Sequence, residues 1–270
     1  MYNDILTIGN LTIHGYGLMI AIGVLVALIW GDKRATRRGL DGEFIYTLVM
    51  WTVVLGFCAA KILFIITYFK QFIADPLGFI RGSGFVVFGG IIGGLATIYG
   101  YCKIKKKSFI DYIDVMIPLV AVAQGFGRIG CFLAGCCYGR QTDSWFSIVF
   151  KHSDFAPNNV KLLPTQLMMS VGDFIIAAII ILYVNKLDKK VMEEKKLDTI
   201  PANHGGKPTL LYLIAYSIGR FFVEFFRNDY RGSVGVLSTS QFIGLIMAII
   251  CSVILFYFLP KKEAKKNVDM

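Results

Sequence analysis

Arg128 and Arg220 each sit inside an apolar stretch. A guanidinium there, always charged and shaped as a planar fork of N–H donors, matches the oxygens of a phosphate. An ionisable group in such a stretch is costly unless paired or hydrated, so its presence points to a function. Arg128 belongs to Gln124-Gly125-Phe126-Gly127-Arg128-Ile129-Gly130, whose glycines permit a bend or close contact with another molecule. An arginine that snorkels to the outer interface is the plainer alternative. Arg220 belongs to Tyr216-Ser217-Ile218-Gly219-Arg220-Phe221-Phe222-Val223-Glu224, where the spacing of four puts Tyr216, Arg220 and Glu224 on one helix face. A buried ion pair that holds helices in register is the minimal reading. An arginine oriented by a carboxylate and a phenol is also a prepared anion site, and two arginines at similar depth could clamp one lipid phosphate.

Three further groups carry possible chemistry. His14 and Tyr16, in His14-Gly15-Tyr16-Gly17-Leu18-Met19, stand where an apolar run begins, a place where both types also serve as interfacial anchors. Lys61 is the third basic residue inside an apolar run and either snorkels or joins the arginines. Cys131, Cys136 and Cys137 could ligate a soft metal, and Cys131 could act as a thiol nucleophile near Arg128. With no CxxC pair and no HExxH, no metal site and no cofactor are expected.

The elements that must position these residues are membrane spans. Apolar runs at 13–31, 44–69, 85–102, 113–134, 165–185, 208–226 and 236–259 are each long enough to cross or nearly cross a bilayer as a helix. Lys and Arg alternate between the connecting segments: eighteen fall after the first, third, fifth and seventh runs, and seven in the intervening segments. The positive-inside bias then puts the N-terminus outside and the C-terminus in the cytoplasm. The expected fold is an all-α polytopic membrane protein of about seven transmembrane helices, residues 1–260, with a basic cytoplasmic tail at 261–270. The first span is expected to stay in place, because Met1 to Asn10 has no basic n-region. Gly89-Gly90-Ile91-Ile92-Gly93-Gly94 has the small-xxx-small spacing of closely packed helices. No internal repeat is evident, which weakens an inverted-repeat transporter.

Composition agrees. Of 270 residues 56% are hydrophobic and 17% charged, with mean hydropathy +0.62, outside the range of a soluble domain. The net charge of +10 lies in short tracts between apolar runs, so it marks topology and not nucleic-acid binding. The six cysteines lie mostly in or beside apolar runs, which argues against a disulfide framework.

These segments together resemble the prolipoprotein diacylglyceryl transferase family. The likeness runs along nearly the whole chain, through His14-Gly15-Tyr16-Gly17-Leu18-Met19, Ala74-Asp75-Pro76-Leu77, Gly89-Gly90-Ile91-Ile92-Gly93, Gly127-Arg128-Ile129-Gly130, Pro164-Thr165-Gln166-Leu167 and Arg220-Phe221-Phe222-Val223-Glu224-Phe225-Phe226-Arg227. It implies a multi-pass enzyme of the bacterial plasma membrane. Such an enzyme transfers the diacylglyceryl group of phosphatidylglycerol to the lipobox cysteine of a preprolipoprotein signal peptide, forming a thioether and releasing glycerol phosphate. The implied partners are phosphatidylglycerol, that signal peptide and the surrounding membrane lipids. The implied catalytic set is Arg128, Arg220, Tyr16, His14 and Glu224, and the expected substrate-binding residues are Arg128, Arg220, Tyr216, Gly89, Gly90, Gly127, Gln166 and Lys61.

The chain departs from the family inside these motifs. Phe88 stands where the family often has a histidine proposed as general base, and phenylalanine accepts no proton. Cys131 replaces a common Asn, Cys136 a polar residue, and Leu163-Pro164-Thr165-Gln166-Leu167-Met168-Met169 a run that commonly reads His-Pro-Ser/Thr-Gln-Leu-Tyr-Glu. Proton removal would fall to Tyr16, His14 or solvent. A paralogue with another acceptor, or a non-catalytic lipid-binding protein or transporter, would keep the arginines without that base.

Overall fold

The computed structural model describes residues 4–8, 11–82, 84–195, 200–228 and 232–259; the basic tail at 261–270 and the loop residue Arg231 lie outside these. Every apolar run becomes a helix. They are α1 (Gly15–Arg37), α2 (Gly42–Thr67), α5 (Val87–Ile104), α6 (Phe109–Ala134), α7 (Thr165–Lys195), α8 (Lys207–Glu224) and α9 (Thr239–Val253), the last extended by a π-helical turn, Ile254–Phe258. Two short helices, α3 (Phe69–Ala74) and α4 (Pro76–Arg81), fill the α2–α5 connection. Antiparallel pairs β1 (Asp4–Ile8) with β2 (Leu11–His14), β3 (Ile148–Val149) with β4 (Lys161–Leu162), and β5 (Ser233–Val234) with β6 (Leu237–Ser238) lie in the connections.

Local chemistry sets the helix ends. Asp41 caps α2 by accepting from the Phe44 amide, and Ser108 caps α6 at Asp111. Ser238 and Gln241 form a reciprocal capping box at α9. Gly135 closes α6 at φ 73°, a left-handed conformation that glycine adopts without strain. At the α2–α5 seam, a Cβ on Gly89 would lie 2.6 Å from the Ala59 carbonyl oxygen and 2.9 Å from the Ala60 Cα, so only glycine permits this approach.

Six of the helices, α1, α2, α5, α6, α7 and α9 with its π turn, are long and apolar enough to cross a membrane. Helix α8 is of similar length but carries Lys207, Arg220 and Glu224, the charges of the candidate site among them. The outward faces are apolar, with Ile92 65% and Leu182 68% exposed, a surface stable against lipid and not against water. Among the described residues buried packing falls in three clusters, one of them, Phe150, Ala156 and Leu162, in the α6–α7 connection and two between the helices. Ala35, Phe44, Ile45, Leu48, Tyr112 and Val115 join α1, α2 and α6; Ile117, Ala121, Ala177, Ile180, Val184 and Tyr212 join α6, α7 and α8. The chain is a polytopic, all-helical membrane protein in which α6 packs against α1, α7 and α8.

A main-chain clamp ties three helix ends together. Gly139 pairs with Arg227 in an antiparallel bridge, and the Arg140 amide donates to the Phe226 carbonyl at 2.8 Å. On the other side, the Gly139 amide donates to the Leu163 carbonyl at 3.0 Å and the Leu163 amide to the Arg140 carbonyl at 2.9 Å. The segment following α6 thus lies between the start of α7 and the end of α8.

Candidate active site

At the site, two rungs join helices α6 and α8. Tyr212 donates its hydroxyl to the Gln124 side-chain carbonyl, and one turn along both helices the Arg128 Nη2 donates to the Tyr216 hydroxyl at 3.4 Å. The partners advance together, 124 to 128 and 212 to 216, so α6 and α8 run in the same direction. Tyr212 and Tyr216 stack with ring centroids 5.9 Å apart, which holds the second phenol in line with Arg128.

One turn further along α8, Arg220 is buried, 8% exposed. Its Nη2 lies 2.8 Å from Glu224 Oε2 and donates to Ser240 Oγ at 3.3 Å. The contact with Glu224 is a close ion pair and not an aligned hydrogen bond. Arg227 Nε stands 3.8 Å from the same carboxylate oxygen, so Glu224 bridges two guanidiniums. Arg220 Nη1 is buried and has no hydrogen-bond partner. An unsatisfied buried donor is costly, and an incoming anionic oxygen would satisfy it. Asp173 on α7, 2% exposed, is within electrostatic reach of both Arg128 and Arg220.

The other expected residues divide. Tyr16 joins the site: its ring packs on Gly130, where a Cβ would fall 3.0 Å from the ring, and it is within electrostatic reach of Arg128. A Cβ on Gly127 would meet nothing within 4 Å, so the backbone beside Arg128 is open. Gln166, 1% exposed, donates its Nε2 to the Cys136 carbonyl at 2.7 Å and so fixes the loop after α6, while its Oε1 is buried without a hydrogen-bond partner. His14 is exposed, with Nδ1 2.6 Å from Asp4 Oδ1. Lys61 is engaged elsewhere: its ammonium donates to the Gly82 and Gly84 carbonyls at 2.7 and 3.3 Å and lies over the rings of Phe64 and Phe85. Gly89 is occupied by the α2–α5 seam, and Gly90 faces Gly56 and Ala60 of α2. Phe88, half exposed, is in the first turn of α5.

Sequence reasoning missed three members. Asp173 was legible as an acid within an apolar run; its electrostatic reach to both arginines was not. Arg227 reads as a loop residue, although its spacing of three from Glu224 is a helical signal. Ser240 carries no signal. A second buried polar cluster lies at the other end of α6, where Asp114 is legible as an acid at the start of an apolar run but its partners are not. There Arg38 Nη2 pairs with Asp188 at 2.7 Å, His204 Nε2 stands 2.6 Å from the other Asp188 oxygen, and Asp114 accepts from the Gly206 amide and the Thr209 hydroxyl.

Fold and site together define a polytopic membrane protein with the guanidiniums of Arg128, Arg220 and Arg227, the carboxylates of Asp173 and Glu224, and the phenols of Tyr16 and Tyr216 gathered among its helices. Residues 3–257 match the family model of prolipoprotein diacylglyceryl transferase. The chain is 43% identical to a phosphatidylglycerol–prolipoprotein diacylglyceryl transferase of Clostridium tetani over 242 residues, covering 89% of this chain and 91% of that protein. It is 43% identical over 261 residues to phosphatidylglycerol–prolipoprotein diacylglyceryl transferase 2 of Clostridium perfringens, covering 96% and 95%. A Finegoldia magna protein with the first of these names is 30% identical over 264 residues, covering 97% and 96%. The chain belongs to the prolipoprotein diacylglyceryl transferase family.

Proposed function

We propose that the protein transfers the diacylglyceryl group of phosphatidylglycerol to the lipobox cysteine of preprolipoprotein signal peptides, in the bacterial plasma membrane. In this reading α8 is a seventh span, the N-terminus is outside, the C-terminus is cytoplasmic, and the arginines face the outer half of the bilayer. The thiol sulfur attacks the glyceryl carbon bearing the phosphate ester. The C–S bond forms as the C–O bond breaks, and the electron pair leaves on the oxygen of glycerol phosphate. Developing charge on that oxygen is the demand the site must meet, and fixed donors in a water-poor pocket meet it without reorganisation. Arg128 and Arg220 hold the phosphate, Tyr216 orients Arg128, and Glu224 orients Arg220. Tyr16, against Gly130, stands at the outer mouth, where it or His14 or solvent takes the thiol proton, since Phe88 cannot.

The observation that carries the reading is Arg220: its Nη2 is occupied by Glu224 and Ser240 while the buried Nη1 has no partner. This half-used fork is what a phosphate oxygen completes. The test is incubation of the purified protein in phosphatidylglycerol micelles with a lipobox peptide, read by mass spectrometry for the thioether adduct. The adduct should form with the wild type and be largely lost in Arg128→Lys. Binding of phosphatidylglycerol without any adduct would overturn the transferase reading.

A further inference from the structure

The three cysteines that replace or adjoin family positions at the end of α6 meet in space. Cys131 is in the last turn of α6, and Cys136 and Cys137 follow the Gly135 cap. Their sulfurs all lie within 4.8 Å of one another. Three sulfurs bound to a zinc-like ion at about 2.3 Å are separated by about 3.8 Å in tetrahedral and about 4.0 Å in trigonal geometry, so small χ1 rotations close the observed triangle.

The backbone holding the thiols is fixed by two buried side chains at the start of α7. Thr165 and Gln166, 0% and 1% exposed, donate to the carbonyls of Cys137 and Cys136 at 2.8 and 2.7 Å. Cys137 itself is held at φ 61°, a left-handed conformation uncommon for a residue with a side chain. Strain of this kind persists where the surroundings over-determine a geometry. The site is half-buried and not sealed, since all three residues retain partial exposure.

We propose that Cys131, Cys136 and Cys137 form a binding site for a soft d10 divalent cation of the Zn2+ and Cd2+ class. Binding releases the three thiol protons to solvent and leaves a tris-thiolate complex of net charge −1, with a water or substrate atom at the open fourth position. Arg128, within electrostatic reach of Cys131 and Cys137, offsets that charge. Soft thiolates select ions of this class over Mg2+ or Ca2+. The inference rests on sulfur geometry and stands apart from the transferase reading.

The experiment titrates the detergent-purified, reduced full chain with Cd2+ and follows thiolate-to-metal charge transfer in the ultraviolet, with Zn2+ as competitor. A single Cd2+ per chain should bind, be displaced by Zn2+ and ignore Mg2+. Loss of a supporting outer partner costs about 10- to 100-fold in metal affinity, so Cys136→Ser or Cys137→Ser should weaken binding by at least about 100-fold. Wild-type affinity in both variants overturns the site. A second measurement needs no variant: Zn2+ should slow alkylation of Cys131, Cys136 and Cys137, mapped by mass spectrometry, and leave the exposed Cys58 unchanged. Equal labelling of the three with and without Zn2+ also overturns it.

Discussion

Replacing Arg220 by Lys tests whether the fork matters or only the charge. Arg220 Nη2 is ion-paired with Glu224 at 2.8 Å and donates to Ser240 at 3.3 Å, with Nη1 left for an anion. Lysine keeps the charge, but its single nitrogen must serve the carboxylate and the phosphate together, so one charge-assisted hydrogen bond is lost. Such bonds contribute about 1.5–3 kcal/mol, which is about 10- to 150-fold in kcat/KM for thioether formation. The fold should survive, because Arg227 at 3.8 Å keeps the Glu224 carboxylate paired. The assay is the initial rate of lipobox-peptide modification in phosphatidylglycerol micelles, alongside the melting midpoint in detergent. A wild-type rate in Arg220→Lys, with midpoint retained, would refute the half-used fork. A collapse of both would mean that Arg220 is structural.

Three further outcomes are expected. Tyr216→Phe removes the partner of Arg128; the bond is long, 3.4 Å, so a loss of about 0.5–1.5 kcal/mol, about 2- to 10-fold in kcat/KM, should appear with stability intact, and no change would remove Tyr216 from the site. Gly89→Ala pushes a methyl group to 2.6 Å from the Ala59 carbonyl and should destabilise the α2–α5 pair by about 1–3 kcal/mol in detergent unfolding. Gly90→Ala, whose nearest neighbour would be 3.5 Å away, should be nearly silent, and equal effects would refute the seam. Asp41 is held below its ordinary value by the Phe44 amide and then by Lys107, so its stabilisation is present above that ordinary value, 3.8, and is lost as pH falls through the lower folded value. Asp41→Asn should therefore flatten the acid limb of the stability profile, and an unchanged limb in the variant would show that the cap does not titrate.

Much of the frame was legible because membrane spans are written in long apolar runs, and all seven runs are helices. The spacing of Tyr216, Arg220 and Glu224 was legible for the same reason, since partners on one helix face are set by period alone. Partners on different helices were not. Ser240 meets Arg220, and Asp173 comes within its electrostatic reach, through tertiary packing, which no local spacing encodes. Lys61 shows the converse: an isolated lysine in an apolar run reads as part of the charged cluster, yet two loop carbonyls within reach of its flexible stem satisfy it. The glycine run carried both a packing and a substrate reading, and Gly89 is taken by packing.

The clamp formed by Gly139, Arg140, Leu163, Phe226 and Arg227 sets the relative depth of α6, α7 and α8 using backbone groups alone. These hydrogen bonds use no side-chain donor or acceptor, and the segment's one strict demand is at Gly139, where a Cβ would lie 2.7 Å from the Leu163 carbonyl oxygen. Arg128, Gln166 and Arg220 hang from a scaffold whose alignment survives exchange of the residues around them. A lineage can therefore trade a histidine for Phe88 or polar residues for cysteines and keep its arginines in register, separating the evolution of the proton acceptor from that of the anion cradle.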